Sequence, residues 1–257
     1  MSEAGAIPGI GLLLVGDELL SGKRQDKHLP AVIERLTVRG LELAWVRIVG
    51  DDAGRLENTL AATLAGDDIV FSFGGIGPTP DDRTRQCAAR AAGLALEINQ
   101  QGRAILLEHY GTEGATAARM KMVEWPVGAS VIPNPINQVP GFSLYRHHFV
   151  PGFPSMAWPM VEWVLDTYYA QLQHRQAPVE YLFEAHDTPE SAIIDDMQVV
   201  LDAHPDVRIA CLPNAAGKRL LEFGVRGTPA AAASAYEALY ERLQARQIPL
   251  SRTQPPQ

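Results

Sequence analysis

The sequence is poor in cysteine and contains no long apolar run. Its 257 residues include 2 cysteines, Cys87 and Cys211, with no CxxC pair, which argues against a disulfide scaffold or a cysteine-rich metal site. We expect both to be buried free thiols in a reducing compartment. No apolar run approaches the ~20 residues of a membrane-spanning helix, and residues 1–9 lack the basic and apolar regions of a secretion signal. We therefore predict a cytoplasmic protein without a membrane partner.

Positive charge is also scarce. The chain has 22 Lys and Arg against 30 Asp and Glu, a formal net charge of −8. This balance argues against a nucleic-acid partner, because phosphate backbones are bound mainly by clustered Lys and Arg. With 46% apolar residues the chain can still bury a substantial core. A small anionic ligand would therefore need local hydrogen-bond donors or a metal ion.

Strand-like and helix-like patterns alternate in the first hundred residues. Three segments, Ile10–Val15, 41–49 and Ile69–Phe73, are apolar or rich in β-formers, and helical periodicity follows each of them. This order predicts a doubly wound, mostly parallel α/β sheet with helices on both faces. Further along, His147 and His148 are predicted as turn residues of a hairpin, and Ser155 as the N-cap of a long helix.

The C-terminal part follows another order. Residues 173–178 are polar and end in proline, which is typical of a linker. We therefore assign residues 1–175 to a first domain and 178–250 to a small ferredoxin-like α+β domain of order strand-helix-strand-strand-helix. Its first helix is predicted to open at Thr188-Pro189. The polar residues 251–257 are predicted to be a loose tail.

The glycine-rich residues 74–84, Gly-Gly-Ile-Gly-Pro-Thr-Pro-Asp-Asp-Arg-Thr, follow the third predicted strand. Glycine permits positive φ angles, so that successive N–H groups can point into one concavity and bind an anion. The spacing is neither the GxGxxG of dinucleotide folds nor the GxxxxGK[ST] of P-loops. A turn without a ligand is the alternative. The adjoining acids and threonine favour a site.

Three acidic pairs occupy equivalent positions, one after each predicted strand: Asp17-Glu18, Asp51-Asp52 and Asp81-Asp82. The carboxyl ends of parallel strands share one edge, so we expect these carboxylates to converge on one crevice. Carboxylates beside an anion site suggest a bridging Mg²⁺, which favours one or two carboxylates plus phosphate oxygens. Phosphoryl or adenylyl chemistry would follow. Simple helix capping is the alternative for Asp51 and Asp82.

The proline-rich segments 133–141 and 151–156 predict a second part of the site. A helix starting near Ser155 would leave N–H groups for an anion or a ring edge, and Asn134 and Asn137 could read a pterin or purine through their amides. Rigid loops without a ligand are the alternative. Ser155 is not a convincing nucleophile, because the GxSxG pattern is absent.

Four separated motifs, residues 16–22, 74–84, 133–135 and 151–156, resemble those of the molybdopterin-binding (MoaB/Mog-like) domain in its CinA N-terminal form. The resemblance covers residues 8 to 175, and the remainder is similar to the small domain that follows in CinA-type proteins. It implies a three-layer αβα sandwich, a glycine loop that holds a phosphate of molybdopterin or a nucleotide, and a homo-oligomer, either a dimer or a trimer.

The resemblance also implies chemistry. Mog-type relatives adenylate molybdopterin with ATP and Mg²⁺, using two aspartates that match Asp51 and Asp82. CinA-type relatives are described as ADP-ribose pyrophosphatases that use a divalent metal. They often continue into a nicotinamide-mononucleotide deamidase domain, which this sequence lacks, so we expect no such activity. Where CinA-type sequences usually have Asp-Thr-Asn, this one has Asp26-Lys27-His28.

Our leading hypothesis is an enzyme that binds a phosphorylated pterin or nucleotide and, with Mg²⁺, attacks or forms a pyrophosphate bond. Asp51 and Asp82 are the predicted catalytic residues, and Asp17 and Glu18 complete the predicted metal ligands. The predicted ligand-binding residues are Ser21, Gly74, Gly75, Gly77, Pro78, Thr79, Thr84, Asn134, Gly152 and Ser155. The alternative is a molybdopterin-binding or carrier protein without catalysis.

Overall fold

The computed structural model describes residues 8–173, 178–213 and 220–256. The chain divides into two compact units, Met1–His174 and Arg175–Gln257. Most of the predicted linker lies outside the described residues. Cys87 is buried and Cys211 only half-buried, and both are free thiols. No helix in the described ranges is long and apolar enough to cross a bilayer.

The first unit consists of alternating strands and helices. Its strands are β1 (Ile10–Val15), β2 (Trp45–Val49), β3 (Ile69–Phe73), β4 (Leu96–Ile98), β5 (Glu124–Pro126), β6 (Ser130–Ile132), β7 (Gly141–Leu144) and β8 (His147–Val150). Its helices are α1 (Asp17–Leu20), α2 (His28–Thr37), α3 (Ala53–Leu64), α4 (Thr84–Ala91), α5 (Gln100–Gly114), α6 (Ala117–Met120) and α7 (Pro154–Tyr168), with 3₁₀ turns at Lys121–Val123 and Ala170–Leu172.

Six strands of the described region form the central sheet in the order β2-β1-β3-β8-β7-β6. The pairs β1/β2, β1/β3 and β3/β8 are parallel, whereas β7 is antiparallel to both of its neighbours. The predicted mostly parallel sheet is therefore confirmed.

Helices cover both faces of this sheet. In β1, Ile10, Leu12 and Leu14 pack into the core with α2 and α7, while Leu13 and Val15 pack into the opposite core with α3, α4 and α5. A strand buried on both faces needs an uninterrupted apolar sequence, and β1 has one. The three-layer αβα arrangement is confirmed.

The parallel strands end at one edge of the sheet. The N–H of Gly16, after β1, donates to the carbonyl of Val49 at 3.0 Å, and the N–H of Gly74, after β3, donates to that of Val150 at 3.0 Å. The loops that follow β1, β2, β3 and β8 are therefore neighbours.

The prediction for His147 and His148 is wrong, because both histidines lie buried within β8 and the hairpin turns at Tyr145. The Nε2 atom of His147 lies 2.9 Å from the Thr63 hydroxyl. The Nδ1 atom of His148 lies 2.8 Å from the Ser143 hydroxyl, and its Nε2 lies 2.7 Å from the Tyr169 hydroxyl. Hydroxyl partners from distant elements allow these imidazoles to be buried.

The sequence of residues 103–125 has only a weak helical pattern, and in the structure this segment is helical only in part. Helix α5 is interrupted at Gly111, whose φ is +67°. The chain then passes through α6 into β5, which pairs antiparallel with β4, a short strand that the sequence did not indicate.

The second unit contains an antiparallel sheet and two helices. Its elements are β9 (Val179–His186), a 3₁₀ turn (Glu190–Ala192), α8 (Ile194–Ala203), β10 (Arg208–Pro213), β11 (Leu220–Gly227), α9 (Pro229–Ala245) and β12 (Leu250–Gln254). The sheet order is β10-β11-β9-β12, with both helices packed on one core. This is the ferredoxin-like arrangement.

Two predictions for this unit need correction. Helix α8 begins at Ile194 and not after Thr188-Pro189, because the Thr188 hydroxyl donates back to the His186 carbonyl at 2.9 Å and caps no helix. The tail is not loose either. Residues Leu250–Gln254 form β12, which pairs antiparallel with β9 and is the last strand of the sheet.

We predict that acid weakens this fold through the β8 histidines. Burial lowers the pKa of His147 from 6.5 to about 4 and that of His148 to about 3. Below pH 6.5 the unfolded chain therefore binds protons that the folded chain does not. As the pH falls from 6.5 towards 4, each histidine should reduce the free energy of unfolding by about 1.4 kcal/mol per pH unit.

Urea unfolding at a series of pH values measures this effect. The variants His147→Gln and His148→Gln should each flatten the pH dependence, whereas His109→Gln, at an exposed position of α5, should leave it unchanged. Equal slopes in all four proteins would contradict the assignment.

Candidate functional site

The glycine loop begins where β3 ends and depends on the absence of side chains. Gly74 and Gly75 have φ angles of +96° and +68°. A Cβ atom on Gly74 would lie 2.5 Å from the Val15 carbonyl oxygen, and one on Gly75 would lie 2.2 Å from the Thr84 hydroxyl oxygen. Both the backbone conformation and the packing therefore require glycine here.

Three successive N–H groups of this loop, those of Gly75, Ile76 and Gly77, have no hydrogen-bond acceptor among the described residues. The same residues line a cleft of about 520 Å³ at the carboxyl edge of the sheet. Adjacent N–H groups without partners, on residues that line an open cleft, are groups of the kind that bind anions.

Thr84 closes this loop from behind. Its hydroxyl donates to the Gly74 carbonyl at 3.0 Å and its N–H donates to the Gly75 carbonyl at 2.9 Å. The residue is fully buried. Thr84 was predicted to contact a ligand, but it does not line the cleft. Its hydrogen bonds hold the loop together instead.

Asp17 and Asp51 are joined by a reciprocal pair of hydrogen bonds. The N–H of Asp17 donates to Oδ2 of Asp51 at 3.0 Å, and the N–H of Asp51 donates to Oδ1 of Asp17 at 3.1 Å. Burial raises the pKa of Asp51, and the carboxylates of Asp17, Glu18 and Asp81 raise it further against the effect of the Asp17 hydrogen bond. The structure thus brings the acids that follow β1, β2 and β3 to one rim.

Helix capping does not account for Asp51 or Asp82. The neighbour Asp52 caps α3, accepting from the Arg55 N–H at 2.9 Å. Helix α4 has no side-chain cap. Oδ2 of Asp82 instead accepts from the N–H of Thr79 at 2.9 Å and from its hydroxyl, and therefore fixes the loop while lining the cleft.

The predicted metal ligands do not form a complete set. Glu18, Asp51 and Asp82 line the cleft, but no group of three His, Cys, Asp or Glu side chains able to hold a metal ion occurs in the described parts of the chain. The donor chemistry suits Mg²⁺ only if ligand oxygens join one or two of these carboxylates.

Asn134 is used within its own loop. Its Nδ2 donates to Oδ1 of Asn137 at 2.7 Å and to the Val139 carbonyl at 3.0 Å, while its Oδ1 accepts from the Ile136 N–H at 3.0 Å. Both Nδ2 protons of Asn134 are therefore used within the loop, and only one lone pair of Oδ1 remains to read a ring as predicted. Asn134 still contributes to the cleft wall.

The two predicted serines lie outside the cleft, which is lined by neither Ser21 nor Ser155. The N-cap position of α7 is Phe153, Pro154 starts the helix, and no side chain caps it. The prediction that Ser155 is the N-cap is therefore wrong. Of the predicted ligand-binding residues, Gly74, Gly75, Gly77, Pro78, Thr79 and Gly152 line the cleft.

Apolar and aromatic residues on the cleft wall were not predicted. They are Ile76, Tyr110, Met122, Val139, Phe153 and Met156. The Phe153 side chain is 58% exposed, and Tyr110 stacks beneath the guanidinium of Arg119 at 4.1 Å. Phe153 lies in the proline-rich segment 151–156, which was predicted to form part of the site. Tyr110 lies in α5, and no motif in that helix indicated a site residue.

A second cavity of about 430 Å³ adjoins the cleft. The two share Val15, Glu18, Arg24 and Gly152. His28 forms part of the second cavity's wall, with its Nε2 3.1 Å from the Gly152 carbonyl and its ring 4.4 Å from that of Phe73. Burial lowers the pKa of His28, so the neutral ring donates from Nε2 and anchors Gly152.

Comparison with known proteins places this site in a family context. A family model described as "Probable molybdopterin binding domain" matches residues 11–171, a range that includes every residue of the cleft. A CinA-like protein of Anaeromyxobacter dehalogenans is 34% identical over 200 residues, which are 75% of this chain and 48% of that protein. The chain thus spans about half the length of the curated relatives it matches.

A protein of Pyrobaculum arsenaticum is also similar. It is 27% identical over 212 residues, which are 79% of this chain and 78% of that protein. Among solved structures, CinA of Thermoplasma acidophilum, described as a protein of unknown function, is similar with a TM-score of 0.56 and 26% identity. The match covers 62% of this chain and 96% of that one.

We predict that Gly75→Ala destabilises the protein more than Gly93→Ala. Both residues have similar positive φ angles, +68° and +67°, but a Cβ at Gly93 meets nothing within 4 Å. The strained φ should cost about 1 kcal/mol in each variant, and only Gly75→Ala adds the collision with Thr84. Urea denaturation measures the difference in unfolding free energy. Equal losses would show that the loop yields to the methyl group.

Proposed function

Because the chain belongs to the family of probable molybdopterin-binding domains, in its CinA type, we propose that the cleft binds molybdopterin or a related phosphorylated ring compound. The observation that carries the proposal is that three successive residues lining the cleft, Gly75 to Gly77, have N–H groups without an acceptor among the described residues.

A phosphate suits these N–H groups for electrostatic reasons. Hydrogen bonds from N–H groups to an ionised oxygen are roughly twice as strong as those between neutral groups. The loop is held in shape by Thr84 and Asp82 before any ligand arrives, so little conformational entropy is lost on binding.

The ring of the ligand would lie against the apolar wall. Phe153 presents an exposed aromatic face to the cleft, and a flat heterocycle can stack on such a face. A cleft of about 520 Å³ is within the usual range for a small-molecule site.

We further propose Mg²⁺-dependent chemistry at a pyrophosphate bond, either hydrolysis as with ADP-ribose or adenylyl transfer to molybdopterin. Two features support it. The rim carboxylates of Glu18 and Asp51 are next to the anion site and would hold the ion together with phosphate oxygens. The adjoining second cavity gives room for the other half of a ligand joined through a pyrophosphate. Mg²⁺ would stabilise the charge that develops on phosphate oxygens.

Removing the aromatic face should separate ring binding from phosphate binding. We predict that Phe153→Ala lowers affinity for molybdopterin by about tenfold, the equivalent of one stacking contact, without changing affinity for inorganic phosphate. Tyr145→Ala, which removes another exposed aromatic side chain but one outside the cleft, is the control. Fluorescence titration or calorimetry would measure both affinities. An unchanged molybdopterin affinity in Phe153→Ala would place the ring elsewhere.

Turnover can be tested with a pair of adjacent aspartates. With Mg²⁺ and either ADP-ribose or ATP plus molybdopterin, the protein should release AMP or form adenylated product. We predict that Asp51→Asn reduces the rate by about 100-fold or more. Asp52→Asn should retain it, because asparagine also caps a helix and Asp52 serves only α3.

The same assay decides between the enzyme and the carrier. Tight molybdopterin binding without turnover of either substrate pair would select the non-catalytic alternative. Absence of both binding and turnover would contradict the proposed function altogether.

A further inference from the structure

Arg85, in the first turn of α4, is 1% exposed, although it carries a full positive charge. Its Nη2 donates to the Gly77 carbonyl at 2.8 Å, and its Nη1 donates to the carbonyls of Lys121 and, at 3.5 Å, Glu124. Nε has no hydrogen-bond partner. None of the ion pairs found among the described residues involves Arg85.

A buried guanidinium bound only to carbonyl oxygens is poorly neutralised. A carbonyl accepts a hydrogen bond but carries no net charge, and burying an ion without a close counter-ion is costly. Burial lowers the pKa of Arg85, an effect that the carboxylates of Glu124 and Asp82 oppose without forming an ion pair with it. Arginine nevertheless stays protonated in proteins, so the charge persists.

The charge lies directly behind the glycine loop. The hydrogen bond to Gly77 joins the buried guanidinium, which does not line the cleft, to a residue that does. An anion on the N–H groups of Gly75 to Gly77 would therefore interact with this cation partly through buried protein, where charges interact more strongly than in water. The acids Glu18, Asp51 and Asp82 on the rim otherwise repel anions.

We propose that Arg85 is the buried counter-charge and positioning residue of the glycine-loop site, and that it favours a doubly charged phosphate over singly charged acids. The inference rests on the proposed function, since it takes the same loop as the phosphate site. Coulomb attraction scales with the product of the charges, so a dianion gains more from Arg85 than a carboxylate does.

Calorimetric titration at pH 8 with inorganic phosphate, largely a dianion, and with acetate, a monoanion, tests the proposal. The wild-type protein should prefer phosphate. Arg85→Gln keeps hydrogen-bond donors but loses the charge, and should bind phosphate about tenfold more weakly. Arg85→Lys keeps the charge but loses the planar fork, and should bind phosphate within about threefold of wild type. The control is Arg90→Gln, on the same helix but half-exposed and paired with Glu57 at 2.6 Å, which should match wild type.

If Arg85 served only to connect the glycine loop to residues 121–124 through its hydrogen bonds, the variants would behave differently. Both Arg85 variants lose the fork, so a purely structural residue would impair phosphate binding equally in the two, and that outcome overturns the proposal. Equal phosphate affinity in wild type and a folded Arg85→Gln also overturns it, while leaving the proposed function intact.

Two further outcomes are decisive. If Arg85→Gln does not fold, Arg85→Lys decides, and a loss of more than about tenfold in its phosphate affinity overturns the proposal. If the wild-type protein itself binds no phosphate, the phosphate site of the proposed function fails, and this inference fails with it.

Discussion

The parallel pairing of β1 with β2 and β3, and of β3 with β8, is the constraint on which the site depends. Parallel strands all end on one side, so every loop that follows them is delivered to the same edge. This is how Asp17 and Asp51, separated by 34 positions, come to exchange hydrogen bonds. Both faces of β1 and β3 are buried, so a shift of one residue in either strand would turn its side chains into the opposite core. The convergence is therefore as strongly specified as the core itself.

Groups that attract an anion and groups that repel one lie side by side at this edge. Three N–H groups favour an anion, whereas the rim carboxylates repel one, and Asp51 already has a raised pKa because of burial and its acidic neighbours. Two positive charges would relieve the conflict, Mg²⁺ at the rim and Arg85 behind the loop. They act differently, since a metal ion can arrive with the ligand, whereas a buried guanidinium is fixed when the chain folds.

The sequence allowed prediction of features that depend on local pattern. The strands β1 and β3 and the shared edge follow from apolar periodicity and the general rule for parallel sheets. Features that depend on which distant side chain lies nearby were not predicted. Burial of His148 requires hydroxyls from β7 and from beyond α7. Strand β12 is polar, and its place is set by the free edge of β9 and not by its own pattern.

The same distinction explains why Thr84 and Asn134, two polar residues of the motifs, use their side chains to hold their own loops. Thr84 and Asn134 direct their hydrogen bonds to carbonyls and N–H groups of their own loops. Polar side chains in a rigid glycine- or proline-rich loop must first satisfy the backbone groups that the turn leaves unpaired. The cleft is then lined by the glycine loop, by carboxylates and by apolar and aromatic side chains. Recognition by such groups reads charge and flatness, and it tolerates variation in the remaining atoms of the ligand far better than side-chain amides would.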